Sequence, residues 1–91
     1  MSRVENSSVY YTEVIESFRL GREGQGSAAL RNLINLILPT LEKHKAEIAQ
    51  DDILLLSSII AAQERGDYLY VADLLEYQFP RSIFGKLIAI R

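Results

Sequence analysis

Residues Ile53–Phe79 read ILLLSSIIAAQERGDYLYVADLLEYQF, and the fold turns on how that stretch is read. At about 100° of rotation per residue, its first half spreads apolar side chains round the whole of a helix. Ile53, Leu56 and Ile60 share one face, Leu55, Ile59 and Ala62 lie nearly opposite, and Leu54 with Ala61 fill a third side. A helix apolar nearly all round is either central in a core or crosses a membrane. A span takes roughly 20 apolar residues. This run is about half that and is flanked by Asp51-Asp52 and Glu64-Arg65, so a buried helix is expected.

The second half carries two stripes. Tyr68, Val71, Ala72, Leu75 and Phe79 follow helical spacing on one side, and Tyr70, Leu74 and Tyr77 on roughly the other. One neighbour buries one stripe, so two stripes ask for two neighbours. Gly66-Asp67 separates the halves: Gly suits the left-handed residue past a helix end, and Asp is a strong cap for the next helix. A break or sharp bend is expected there.

Upstream, Tyr11, Val14, Ile15 and Phe18 make one stripe on a helix expected over about Val9–Arg22, after a frayed segment 1–7. GREGQG, with Gly21, Gly24 and Gly26, reads as a turn or as part of a longer helix. It lacks the preceding strand and the Gly-Lys-Ser/Thr ending of a phosphate loop. A second helix is expected over about Ser27–Ala49, with Leu30, Leu33, Ile34, Ile37, Leu41 and Ile48 on one side. Pro39 inside it predicts a kink near Asn35–Pro39 or a break at Leu38. The Gln50-Asp51-Asp52 turn is short, making this helix and the next antiparallel neighbours, with an Asp as cap. Pro80 stops the last helix. The tail 80–91, helical or extended, is too apolar to stay in water; Phe84, Leu87 and Ile88 share a side if it is helical.

The chain has 91 residues, 48% apolar and 24% charged, which describes one globular domain, 1–91, rather than a disordered chain. A chain this short buries a modest share of its surface, and association commonly supplements it. It has no cysteine, which excludes disulfides and thiolate metal sites. The N-terminus lacks the apolar run of a signal peptide, and no segment is long enough to span a bilayer, so the expected setting is cytoplasmic. The net charge is −2; Arg81, Lys86 and Arg91 lie in a tail without acids, which leaves −5 on residues 1–80. An acidic body argues against nucleic acid as a partner.

No constellation for catalysis, metal or cofactor binding emerges. His44 is the only histidine and has no partner at metal-binding spacing. Asp73 and Glu76, three apart, read as a wet helix flank rather than a cation site. Tyr68, Tyr70, Tyr77 and Phe79 crowd aromatic area into twelve residues, as cores and subunit interfaces do.

GDYLYVADLLEYQF resembles a signature, G-D-Y-V-x-L-A-D-L-L-E-Y-E-L, of small, uncharacterised all-helical bacterial proteins. FRLGREGQGSAALRNLIN is similar to the F-x-x-G-x-E-x-E-G-x-x-x-L-x-x-L-I that accompanies it. The two runs cover about Phe18–Phe79, with departures at Gln78 and Phe79. The resemblance implies a helical fold and a bacterial cytoplasmic origin, and it brings no activity.

The expectation is an all-α protein: an antiparallel helical hairpin or small bundle of three to four helices, completed by dimerisation. It would be a non-enzymatic interaction module without cofactor, working as a homodimer through Tyr70, Leu74, Tyr77, Phe84, Leu87 and Ile88. The alternative is a helical adaptor or export-chaperone-like protein that holds a foreign protein segment through the last helix or the tail.

Overall fold

The computed structural model describes the backbone of residues 3–87 and the side chains of 7–87. Five helices follow one another: α1 (Arg3–Arg19), α2 (Glu23–Lys43), α3 (Gln50–Glu64), α4 (Tyr68–Asp73) and α5 (Ile83–Leu87). A 3₁₀ turn, Lys45–Glu47, joins α2 to α3. Beyond Asp73, α4 widens into a π-helical stretch, Leu74–Gln78, and tightens into a 3₁₀ turn, Phe79–Arg81. No strand occurs among the described residues.

Two glycines stop helices in the same way. Gly21 and Gly66 have φ of 76° and 77°, the left-handed region that costs other residues a Cβ clash. After α1, the Arg22 amide donates to the Ser17 carbonyl at 2.8 Å and Gly21 to Phe18 at 3.3 Å. After α3, Asp67 donates to Ala62 at 2.8 Å and Gly66 to Gln63 at 3.1 Å. Both are Schellman endings, in which the two residues past the helix satisfy its last carbonyls. The expected break at Gly66 is therefore present. Asp67 occupies the cap position of α4, but its side chain caps nothing and lies 3.8 Å from Arg65 instead.

GREGQG divides its roles: Gly21 turns the chain, while Gly24 and Gly26 lie inside α2. A Cβ at Gly26 would collide with the Phe18 ring, so this glycine lets α1 and α2 cross closely. Gln25 also donates to Glu13 across that crossing at 3.1 Å. α1 starts at Arg3, six residues ahead of the expected Val9, and Ser7 is fully buried rather than frayed. α2 runs through Pro39 without a break at Leu38 but ends at Lys43, short of the expected Ala49.

Asp52 joins two helix starts. Its carboxylate accepts from the Ala49 amide at the head of α3, at 2.9 Å, and from the Ile83 amide at the head of α5, at 3.1 Å. Serving its own helix start is one half of a capping box; serving the other fixes the C-terminal helix against α3. Ser82 donates to the Phe79 carbonyl at 2.6 Å, tightening the turn into α5.

One core gathers Tyr11, Val14 and Phe18 of α1, Ala29, Leu30, Leu33 and Ile37 of α2, and Leu55, Ile59 and Ala62 of α3. Val71 to Leu75, Phe79 and Phe84 complete it, Asp73 excepted. A run of rings, Tyr11 to Phe79 at 5.7 Å and Phe79 to Phe84 at 5.8 Å, ties α1 to α5. Close backbone packing is of α1 on α2, α1 on α4 and α3 on α4. α2 and α3, expected as antiparallel neighbours, make little close backbone contact and line two clefts together.

The molecule measures 36 × 31 × 19 Å. Helix axes pack about 8–10 Å apart, so its thin dimension holds two helix layers. No helix in such a slab is surrounded. This corrects the reading of α3 as a buried helix: Leu55, Ile59 and Ala62 face the core, whereas Ile53 and Leu54 are 50% and 53% exposed.

Candidate functional site

Two surfaces carry the residues singled out by sequence. The first is the outer side of α4. Tyr70 and Tyr77 are exposed, Tyr77 at 61%. The Arg65 guanidinium sits over the Tyr70 ring, 5.9 Å from its centre. Arg19, at the last turn of α1, reaches Asp73 at 3.0 Å and Glu76 at 3.1 Å. The hydrogen bond that Arg19 donates to Asp73 and the nearby Glu76 carboxylate hold the Arg19 pKa above its ordinary value. Hydrogen bonding to Glu76 and the charge of that carboxylate likewise raise the Tyr77 hydroxyl.

Asp73 and Glu76 are both engaged by one arginine, and His44 belongs to a separate pair with Glu47 at 3.3 Å. Sequence reading brought Asp73 and Glu76 together but missed Arg19, because 54 residues separate it from Asp73. No group of three His, Cys, Asp or Glu that could hold a metal ion occurs among the described residues.

The other expected interface residues fall elsewhere. Leu74 and Phe84 are 2% and 1% exposed, inside the chain's own core. The reason for Leu74 is that α4 and its extension meet both α1 and α3. Two neighbours within the chain bury an arc wide enough to include it. Phe84 is drawn in because Asp52 accepts from the Ile83 amide and holds the head of α5 against α3. Leu87 is half-buried, and Ile88 lies outside the described residues.

The second surface is the cleft where α2, the 3₁₀ turn and α3 diverge. It has a volume of about 360 Å³. Leu41 and Ile48 form one wall, Ile53, Leu56 and Ile60 the other, and Phe84 the inner end. Glu42 and Lys45 stand at the rim. The α3 wall is the very face that the sequence grouped as one side of an all-apolar helix. Its lining offers apolar area, one hydroxyl (Ser57) and no ionisable group apart from the rim pair. A surface of this kind sheds water on contact, and its only ionisable groups are the rim pair, Glu42 and Lys45.

Among the described residues, no helix is long and apolar enough to cross a membrane. No family model, curated protein or solved structure matches the chain, so its likeness to the G-D-Y helical signature rests on those residues alone.

Proposed function

We propose that this chain is a non-enzymatic helical protein-interaction module that works as a homodimer. The observation that carries the proposal is the outer face of α3. Ile53 and Ile60 are exposed, Leu56 is half-covered, and all three border a cleft walled by Leu41 and Ile48. A continuous apolar surface beside charged rim residues is the ordinary mark of a protein contact. The α4 surface supports the same reading less well, since the charged Glu76, Asp73 and Arg19 stand close to the exposed Tyr77. Multi-angle light scattering across a dilution series from the micromolar range tests the proposal. A homodimer gives twice the chain mass of 10.3 kDa at the top of the series; a single-chain mass throughout contradicts it.

A second reading draws on the depth of the same cleft. A groove that reaches inward to Phe84 suits the apolar face of a short foreign helix, as in an adaptor. That reading calls for a monomer in isolation, so the dilution series separates the two.

A further inference from the structure

We infer that the two copies meet through α3 in antiparallel, two-fold register, with Ile53 of one chain against the partner's Ile60. This inference rests on the homodimer proposed above and assigns its seam.

The α3 residues that border the cleft are Ile53, Leu56, Ser57 and Ile60. Their spacing of three, four and seven residues makes a single helix face two turns long. A two-fold axis across an antiparallel helix pair matches positions whose numbers have a constant sum. Centred between Leu56 and Ser57, it sets Ile53 opposite the partner's Ile60 at both ends. In the middle it sets the bulky Leu56 opposite the small Ser57, twice. The middle of the face is thus complementary in bulk and its ends meet as apolar pairs, an arrangement a self-complementary two-fold contact allows.

The rim agrees in charge. It carries one acid, Glu42, and one base, Lys45. Two copies of a rim of single sign would repel, whereas two copies of this one have opposite charges to present to each other. A foreign segment selected by charge would call for an acidic or a basic rim, and this one is neutral. These features favour a second copy over a foreign helix as the occupant.

The absence of cysteine makes the register measurable. Two variants, Ile53→Cys and Ile60→Cys, are prepared separately, mixed and oxidised, and the products are resolved by mass. Both sites are exposed, so both variants are expected to fold. In the inferred register the two cysteines of a mixed pair face each other. Each cysteine lies seven residues, or about 10 Å along the helix, from its own copy, beyond the reach of a disulfide. The expected result is mixed product in several-fold excess over both self-linked products, with Tyr77→Cys giving none with either. Native chain that is dimeric in solution but yields no excess of mixed product would overturn the register and leave the dimer standing. Native chain that is monomeric in solution would overturn both, and so would a cleft that protects the two cysteines only when a foreign protein is added.

Discussion

The Tyr11 hydroxyl donates a hydrogen bond to the Leu75 carbonyl, joining the middle of α1 to the widened part of α4. In that stretch the Phe79 amide reaches five residues back, to the Leu74 carbonyl. The next donor in the same step would be residue 80, aimed at Leu75. Residue 80 is proline and has no amide hydrogen. Tyr11 supplies the hydrogen that Pro80 lacks, in a buried place where an unpaired carbonyl is costly.

Removing only that hydroxyl, with Tyr11→Phe, leaves the ring stacked near Phe79 and orphans the carbonyl. The expected loss is about 1–3 kcal/mol of folding free energy, the usual cost of an unsatisfied buried group. Urea unfolding of the two proteins measures it.

The same hydroxyl gives a pH dependence. Burial, with a smaller contribution from the Glu76 charge, pushes the Tyr11 pKa from 10.0 up to about 12. Above pH 10 the unfolded chain releases this proton while the folded chain keeps it, so the contribution to stability falls as pH rises. It is fully present below pH 10 and is lost as pH passes through about 12. Tyr11→Phe should lose less stability than the native chain over that interval. Equal losses in both would show that Tyr11 is not the group responsible.

Glycines three residues apart in one hexapeptide should respond in opposite directions. Gly21→Ala puts a Cβ at φ of 76° in open space, so only backbone strain acts; the expected cost is about 1–2 kcal/mol. Gly24→Ala lies inside α2, also in open space, and should stabilise by up to about 1 kcal/mol. Chemical denaturation of both variants checks the signs.

Arg19→Ala separates a visible ion pair from a stabilising one. All three partners are partly exposed, so the expected loss is about 1 kcal/mol or less, fading in high salt. Thermal melts at low and high salt would show it.

How far the sequence carried is clearest from these residues. Gly66 was legible because a left-handed helix ending is a local demand on one residue type, whereas Gly21 was not singled out, since GREGQG read equally as a turn or as part of a longer helix. The α1 stripe of Tyr11, Val14 and Phe18 was legible because periodicity reports which face is apolar. Periodicity does not report how many neighbours a helix has. Leu74 and Phe84 therefore read as residues of a contact between chains and lie in the chain's own core, while Ile53 and Leu54 read as core and lie outside. The Tyr11–Leu75 and Arg19–Asp73 contacts join residues 64 and 54 positions apart, and no local pattern announces them. The cleft was half legible: Ile53, Leu56 and Ile60 were grouped on one face, but that face was assigned to the interior.

The central claim is that a second copy covers the outer face of α3. Sedimentation equilibrium of the native chain beside Ile60→Asp and Tyr77→Asp tests it most directly, since a buried unpaired charge at a contact is strongly disfavoured. The native chain and Tyr77→Asp should both sediment at twice the chain mass, and Ile60→Asp at the mass of one chain. A monomeric native chain, or a dimer that survives Ile60→Asp and is broken by Tyr77→Asp, would contradict the account.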